Sequence, residues 1–200
     1  MAITNGYTTL SVVKANIDGL TSSTYDSAIE LAVEAVSRSI DKHLGRRFYA
    51  ASETRYFSPW DHRYLEIDDL LSVTSLKTDK DGDQSYADTW AAGDYNLIPL
   101  NAALDGGPYT AIQTRSDGDY RFPISQAGVQ IIGSFGYAAT APEPIQSATI
   151  LQTERLFRRK DAPFGIAGSP EMGAATVNVT LDPETEFLLR GYVRQLVGLV

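Results

Sequence analysis

Apolar residues recur at helical spacing near both ends of this chain, and they alternate with polar residues through a long middle section. Ile29, Val33, Val36, Ile40 and Leu44 lie three or four positions apart, with Ala32 and Ala35 beside them. That is one stripe of a helix over residues 24–44, and the stripe must face a core. Ser23 or Thr24 is placed to cap its start, and Gly45 suits the left-handed position after its last turn. Upstream, "TTLSVVKANIDGL" predicts a short helix with Thr9 as N-cap, Leu10, Val13 and Ile17 on one side, and Gly19 as the stop. After Phe48 the period drops to two. "TRYFSP", "RYLEID", "LLSVTSLKTD", "DYNLIPL", "YTAIQTR" and "GVQIIGSFGY" are short and rich in β-branched and aromatic residues. Turn material such as "DKDGD", "AAGD", "DGGP" and "SDGD" separates them, which predicts five or six strands.

The helical period returns in "APEPIQSATILQTERLFRRKDAP". Pro144 suits its first helical position, and Ile145, Ala148, Leu151 and Leu156 supply the apolar side. "DAPFGIAGSPEMGAATVNVT" is rich in Gly and Ala without a period, and it reads as a long flexible loop. A last helix is predicted over residues 183–197, capped by Asp182, with Pro183 first inside and Glu184 and Glu186 at its positive end. The order α-α-β-α-loop-α, with helices packing on one sheet, is an α+β fold. It divides into N-terminal helices (1–48), a β-rich section (49–140) and C-terminal helices with a flexible loop (141–200), expected to form one compact domain overall.

Composition then removes several functions. The 200 residues include no cysteine, which excludes disulfides, thiolate metal sites and a cysteine nucleophile. The N-terminus lacks the basic and apolar regions of a signal peptide, and no apolar run approaches the ~20 residues that span a bilayer. The net charge of −8 has one location: residues 53–120 carry 13 acidic and 5 basic side chains, while the remainder balances. Gripping phosphates needs Lys and Arg, so the middle section is either a solvated face or a surface that passes DNA without holding it. His43 and His62 have no partners at metal-ligand spacing, and His43 suits a helix C-terminus. "DKDGD" fails the calcium-loop pattern, with Gly82 fourth and Trp90 twelfth, and predicts a hairpin turn. No nucleophile elbow or phosphate loop occurs, so no catalytic, metal or cofactor residue is expected. A polymer hydrolase using carboxylates of the middle section is the distant enzymatic alternative.

Basic residues gather at two helix exits. Arg46 and Arg47 follow one, and Arg155, Arg158, Arg159 and Lys160 end another. The negative end of a helix dipole accounts for such clusters, and acidic partner surfaces provide a second use for them.

Taken in order, "TTLSVVKANI", "YDSAIELAVEAVSRSIDKHLGRRF", "LSVTSLKTDKDG", "DYNLIP", "GVQIIGSFGY", "PEPIQSATILQTERLFRRKDAPFG" and "LDPETEFLLRGY" make the chain resemble the head–tail connector (adaptor) proteins of long-tailed bacteriophages and phage-like particles. The resemblance implies a small helical bundle with a β-rich central insertion and a structural, non-enzymatic subunit without cofactors. It implies a homo-oligomeric ring, twelvefold in the family, beneath a portal protein in the neck of a virion assembled in the host cytoplasm. Such a ring extends the DNA channel without specific recognition, docks a stopper or tail-completion protein, and meets no membrane. The candidate interface residues are Arg46, Arg47, Arg155, Arg158, Arg159, Lys160, Phe187, Leu188 and Tyr192. The alternative reading is a DNA-binding or packaging-regulating module.

Overall fold

Thr9 is extended, and its hydroxyl accepts from the Val12 N–H to start α1 (Leu10–Asn16) as the sequence predicts. The computed structural model describes residues 2–17, 20–159, 166–167, 175–176 and 183–194, so the stop assigned to Gly19 lies outside the described residues. The second helix, α2 (Asp26–Leu44), buries the whole expected stripe of Ile29, Val33, Val36, Ile40 and Leu44. Gly45 follows at φ 66 and ψ 24, a left-handed cap whose N–H bonds the Asp41 carbonyl. The start differs from expectation. Tyr25 occupies the N-cap without a side-chain bond, and the Ser22 and Thr24 hydroxyls pair with each other at 2.7 Å. A Lys14–Asp26 pair at 2.6 Å instead holds α1 against the first turn of α2.

Residues ahead of α1 are clamped along α2 by polar groups that no period reveals. Glu34 accepts from the Thr4 and Asn5 N–H groups, and Arg38 donates to the Asn5 carbonyl at 2.8 Å. Buried Ser37 accepts from the Tyr7 N–H at 3.1 Å and donates to the Val33 carbonyl at 2.7 Å, and the Tyr7 hydroxyl bonds Asp41.

Pro142 takes the N-cap of α3 (Glu143–Arg158), which moves Pro144 to the second helical position rather than the first. Its buried seam is Ile145, Ala148, Thr149 and Thr153, and Leu156 is exposed. Thr149 is tolerated there because its hydroxyl bonds the Ile145 carbonyl at 2.8 Å, so the polar group is satisfied within the helix. Within the stretch expected to be a loop, β7 (Ile166–Ala167) and β8 (Ala175–Thr176) pair antiparallel, and the rest of that expectation lies outside the described residues, as does the Asp182 cap. The last helix, α4 (Pro183–Leu189), is shorter than predicted. A 3-10 turn (Arg190–Tyr192) follows it, Val193 is extended, and Arg194 donates its N–H to the Leu44 carbonyl at 3.0 Å. Gly191 weakens the helix at that point, and Arg194 finds an acceptor at the end of α2 in place of its own preceding turn. The helices α1, α2 and α4 each pack on α3, and residues 1–45 with 141–200 form one compact unit.

Residues 46–140 form the other unit, a six-stranded antiparallel sheet of β1 (Ala51–Phe57), β2 (Tyr64–Thr78), β3 (Asp88–Trp90), β4 (Tyr95–Ile98), β5 (Tyr109–Thr114) and β6 (Val129–Phe135). The strand order is β1-β6-β2-β5-β4, with β3 paired to the end of β2. The α+β expectation holds, four helices with this sheet as the β-rich insertion. Two of the predicted strands are one: "RYLEID" and "LLSVTSLKTD" merge into β2, whose first half pairs with β5 and second half with β6. That strand has to bend. Phe57 and Thr78 both oppose Val129, so they lie two strand spacings apart, about 10 Å. Seven residue steps then join Phe57 to Tyr64, a reach of at most about 25 Å. Tyr64 therefore lies within about 35 Å of Thr78, whereas fourteen straight strand steps would span about 46 Å. Register shifts at Glu66/Leu70, Leu70/Ser72 and Val73/Ser75 supply the bends. The curled sheet encloses Leu65, Ile67, Leu70, Leu76, Ile112, Val129, Ile131 and Phe135, and Trp90 stacks on Phe122 with centroids 4.9 Å apart.

Candidate functional site

Arg46 and Arg47 turn inward to the sheet unit. Arg46 Nε lies 3.2 Å from Asp69 Oδ2, the carboxylate being only 4 % exposed, and its guanidinium sits over the Tyr137 ring at 5.1 Å. Arg47 donates to Glu53 at 2.6 Å and to the Phe135 carbonyl at 2.8 Å, and covers Tyr49. Glu53 also receives Arg55, which reaches Asp68 at 2.6 Å. Gly136 lets the Tyr49–Ala50 backbone pass close beside it. It adopts φ 142, and a Cβ there would collide with the Tyr49 carbonyl. The pair that follows α2 is thus the polar seam of the sheet unit. Both guanidinium groups are engaged within the sheet unit, Arg46 by Asp69 and Arg47 by Glu53 and the Phe135 carbonyl.

Hydrogen bonding from Arg47, outweighing the cost of burial and aided by Arg55, holds the Glu53 carboxyl below its usual pKa. Burial works against the Arg47 charge, but the Glu53 hydrogen bond and charge raise its pKa above the ordinary arginine value. A depressed carboxyl pKa adds stability above the unfolded value, and that contribution disappears as pH falls through the folded value. Glu53→Gln is accordingly expected to cost about 1 kcal/mol at neutral pH, with the gap to the parent closing below the carboxylate range. Urea titrations at two pH values measure this, and a gap constant with pH counts against the charge-based account.

The other candidates belong to the helical unit. Arg158 is exposed and pairs with Glu154 one turn back at 2.6 Å, while Arg155 and Arg159 are half-buried and Lys160 lies outside the described residues. α4 buries Thr185 and Leu189, leaving Phe187 79 % exposed and Leu188 half-buried, and Tyr192 in the 3-10 turn is half-buried. An apolar groove unmarked by any sequence motif runs along α2. One hollow of about 350 Å³ is lined by Val36, Ser39, Ile40, His43, Gln152 and Leu189. It continues past Ala35 and Leu156 into a second of about 320 Å³, lined by Tyr25, Ala28, Leu31, Ala32 and Phe157. In the sequence only the second, small-residue row of α2 hints at it.

Chemistry is sparse among the described residues. His62 donates Nδ1–H to the Phe122 carbonyl at 2.9 Å, a structural tie, and His43 lines the groove. Asp79, Asp81 and Asp83 bring carboxylate oxygens within 4.8 Å of one another, the one such group among the described residues that could hold a metal ion. Asp79 is already used by the loop, accepting from the Gly82 and Gln84 N–H groups at 2.9 Å, and Asp83 accepts from Ser85. Burial raises the Asp79 pKa, but the bonds from Gln84, Asp81 and Gly82 outweigh it and lower the value. The hydrogen bond to Asp79 raises that of Asp81. The segment is the predicted hairpin turn, joining β2 to β3 through the Thr78–Asp88 pair. No helix among the described residues is long and apolar enough to cross a membrane.

No protein-family model and no curated protein matches the chain. A solved structure titled "Neck of empty GTA particle computed with C6 symmetry" contains a chain of similar fold, with TM-score 0.62 and 17 % identity over 99 % of this chain and 96 % of that one. At that identity the likeness is one of fold.

Proposed function

We propose that the chain is a structural connector subunit in the neck of a phage-like particle, forming a ring that continues a DNA channel beneath the portal and presents a platform to a stopper or tail-completion protein. The observation that carries this reading is the fold likeness to a chain of the GTA particle neck along almost the full length of both chains. The ordered resemblance to head–tail connectors supports it independently. Sixfold symmetry in that neck is compatible with six or twelve copies, and twelve is the count we propose. The subunit has no catalytic role in this reading. Head-to-tail closure of a ring needs two different faces, and the acidic section and the basic end of α3 provide opposite charges for them. An acidic channel wall would let DNA slide, and a DNA-binding module would need the basic surface that residues 53–120 lack.

The reading is tested at exposed positions. The Arg158–Glu154 pair is exposed and contributes little to the fold, so Arg158→Glu with Arg159→Glu should shift the melting temperature by only a few degrees. The same variant should slow or block incorporation into particles, most strongly at low salt where charges are unscreened. Phe187→Ser should likewise leave the monomer folded and reduce incorporation. Incorporation of both variants at the parent rate at low salt would remove these faces from the proposal. Tight, salt-sensitive gel shifts by the isolated chain would favour the DNA-binding reading instead.

A further inference from the structure

The two hollows along α2 share Ala35 and Leu156, so they are one groove. From His43 to Leu31 it follows twelve helical steps, about 18 Å. Toward Leu31 its floor is Ala28, Ala32 and Ala35, and the edge-on Tyr25–Phe157 pair, with ring centroids 5.5 Å apart, walls it. Leu31 and Leu156 stand 58 % and 42 % exposed on its rims, an apolar surface open to water. The same unit also carries an apolar knob, Phe187 on α4. α4 buries Thr185 and Leu189, and Leu189 lines the groove. Phe187 lies two residues from each, about 200° around the helix, so it points away from the groove of its own chain.

We propose that Phe187 of one copy seats in this groove of a second copy, over Ala35 and Leu156, and that copies of the chain join head to tail through that contact. Alanine side chains leave the depth that a phenyl ring fills, and burying an exposed aromatic ring is a strong contribution to an interface. Charge selects the occupant. Lys42 stands two turns on from Ala35, and Arg159 two turns on from Gln152, so both basic side chains rise over groove-lining positions. Lys42 is exposed and Arg159 half-buried. Around Phe187, the side chains of Glu184, Glu186 and Arg190 are all exposed, which leaves that face net acidic. An apolar knob with an acidic surround thus fits an apolar groove with a basic rim. Knob and groove are different surfaces of one chain, so the contact is heterologous. Each copy gives one ring and takes one, and the rotation between copies decides whether the series closes. The contact stands on these surfaces alone, and its closing into a ring rests on the connector reading.

Sedimentation of the full chain from low to high micromolar concentration reads the association. The parent should pass from monomers to species larger than dimers, and less readily as salt rises. Ala35→Glu fills the groove and Phe187→Ser removes the knob, both at exposed positions, and each variant alone should stay monomeric. Mixed, they still hold one knob and one groove, and they should form equimolar dimers. Glu184→Lys should weaken parent association several-fold, and Lys42→Glu added to the same chain should restore most of it. The photoreactive analogue p-benzoylphenylalanine in place of Phe187 keeps an aromatic knob. On irradiation it should attach to Leu31, Ala35, Leu156 or Phe157 of another copy, read by gel and peptide mass. A parent that stays monomeric, either single variant associating as the parent does, or attachment within the monomer or outside the groove overturns the proposal. A parent that stops at dimers overturns its head-to-tail form. If the contact fails while particles still take up the parent chain, the connector reading stands. If the contact holds while particles exclude the chain, the connector reading fails alone.

Discussion

Val33→Asp is expected to destabilise the helical unit strongly. Val33 is completely buried on the core stripe of α2 and packs with Val13, Ile17 and Ile29. Gly6 passes so close to it that a Cβ there would meet Val33 Cγ1 at 2.7 Å, so no room exists for a hydrated carboxylate. An aspartate there must be buried unpaired or bind a proton, and either route costs about 3–5 kcal/mol. Total stabilities run at about 5–15 kcal/mol, so this is a large share. At roughly 2–4 °C per kcal/mol for a chain of this size, the melting temperature should fall by about 6–20 °C. Circular dichroism during heating reads the helices directly, and a drop of less than a few degrees would show that the stripe is not the core.

The second large effect is expected at Arg46. Arg46→Ala removes the guanidinium that faces Asp69, a carboxylate buried in the sheet unit. Breaking one side of a buried pair costs about 3–5 kcal/mol, because the remaining charge keeps its desolvation penalty and loses its counter-charge. The loss of the ring contact with Tyr137 adds to this. Removing both charges should cost less than either single change suggests, so Arg46→Met with Asp69→Leu should recover part of the stability. Urea titrations of the two single variants and the double variant complete the cycle. Strict additivity would show that the pair is not coupled and that Arg46 acts through packing alone.

Arg46 also marks how far sequence reasoning reached. Its place after the strongest helix made it look like a dipole cap or a partner contact. Only the curl of the sheet, which brings Asp69 and Tyr137 to the same spot, shows where its charge is used. The hollow lined by Leu156 was equally hidden. The helical period places Leu156 on the apolar side of α3, but Thr149 and Thr153 take the buried seam and leave it outside. Thr149, whose hydroxyl bonds the Ile145 carbonyl of its own helix, is polar in the sequence and nearly apolar in the core.

What the sequence determined by itself is the local and periodic part of the protein. The spacing of Ile29 to Leu44 dictated α2, Thr9 and Gly45 set two helix ends, and alternation after Phe48 announced a β-rich section within an α+β order. Each of these depends on neighbours within a turn or a strand, where side-chain period and backbone preference act directly. Tertiary structure decided the merging of two predicted strands into a bent β2, the early end of α4 at Leu189 with Arg194 bonded to the Leu44 carbonyl, and the commitment of Arg46 and Arg47 to Asp69 and Glu53. Those outcomes join residues up to about 150 positions apart, and they follow from which carbonyl, carboxylate or cavity the folded backbone brings near, a distance that no local pattern encodes.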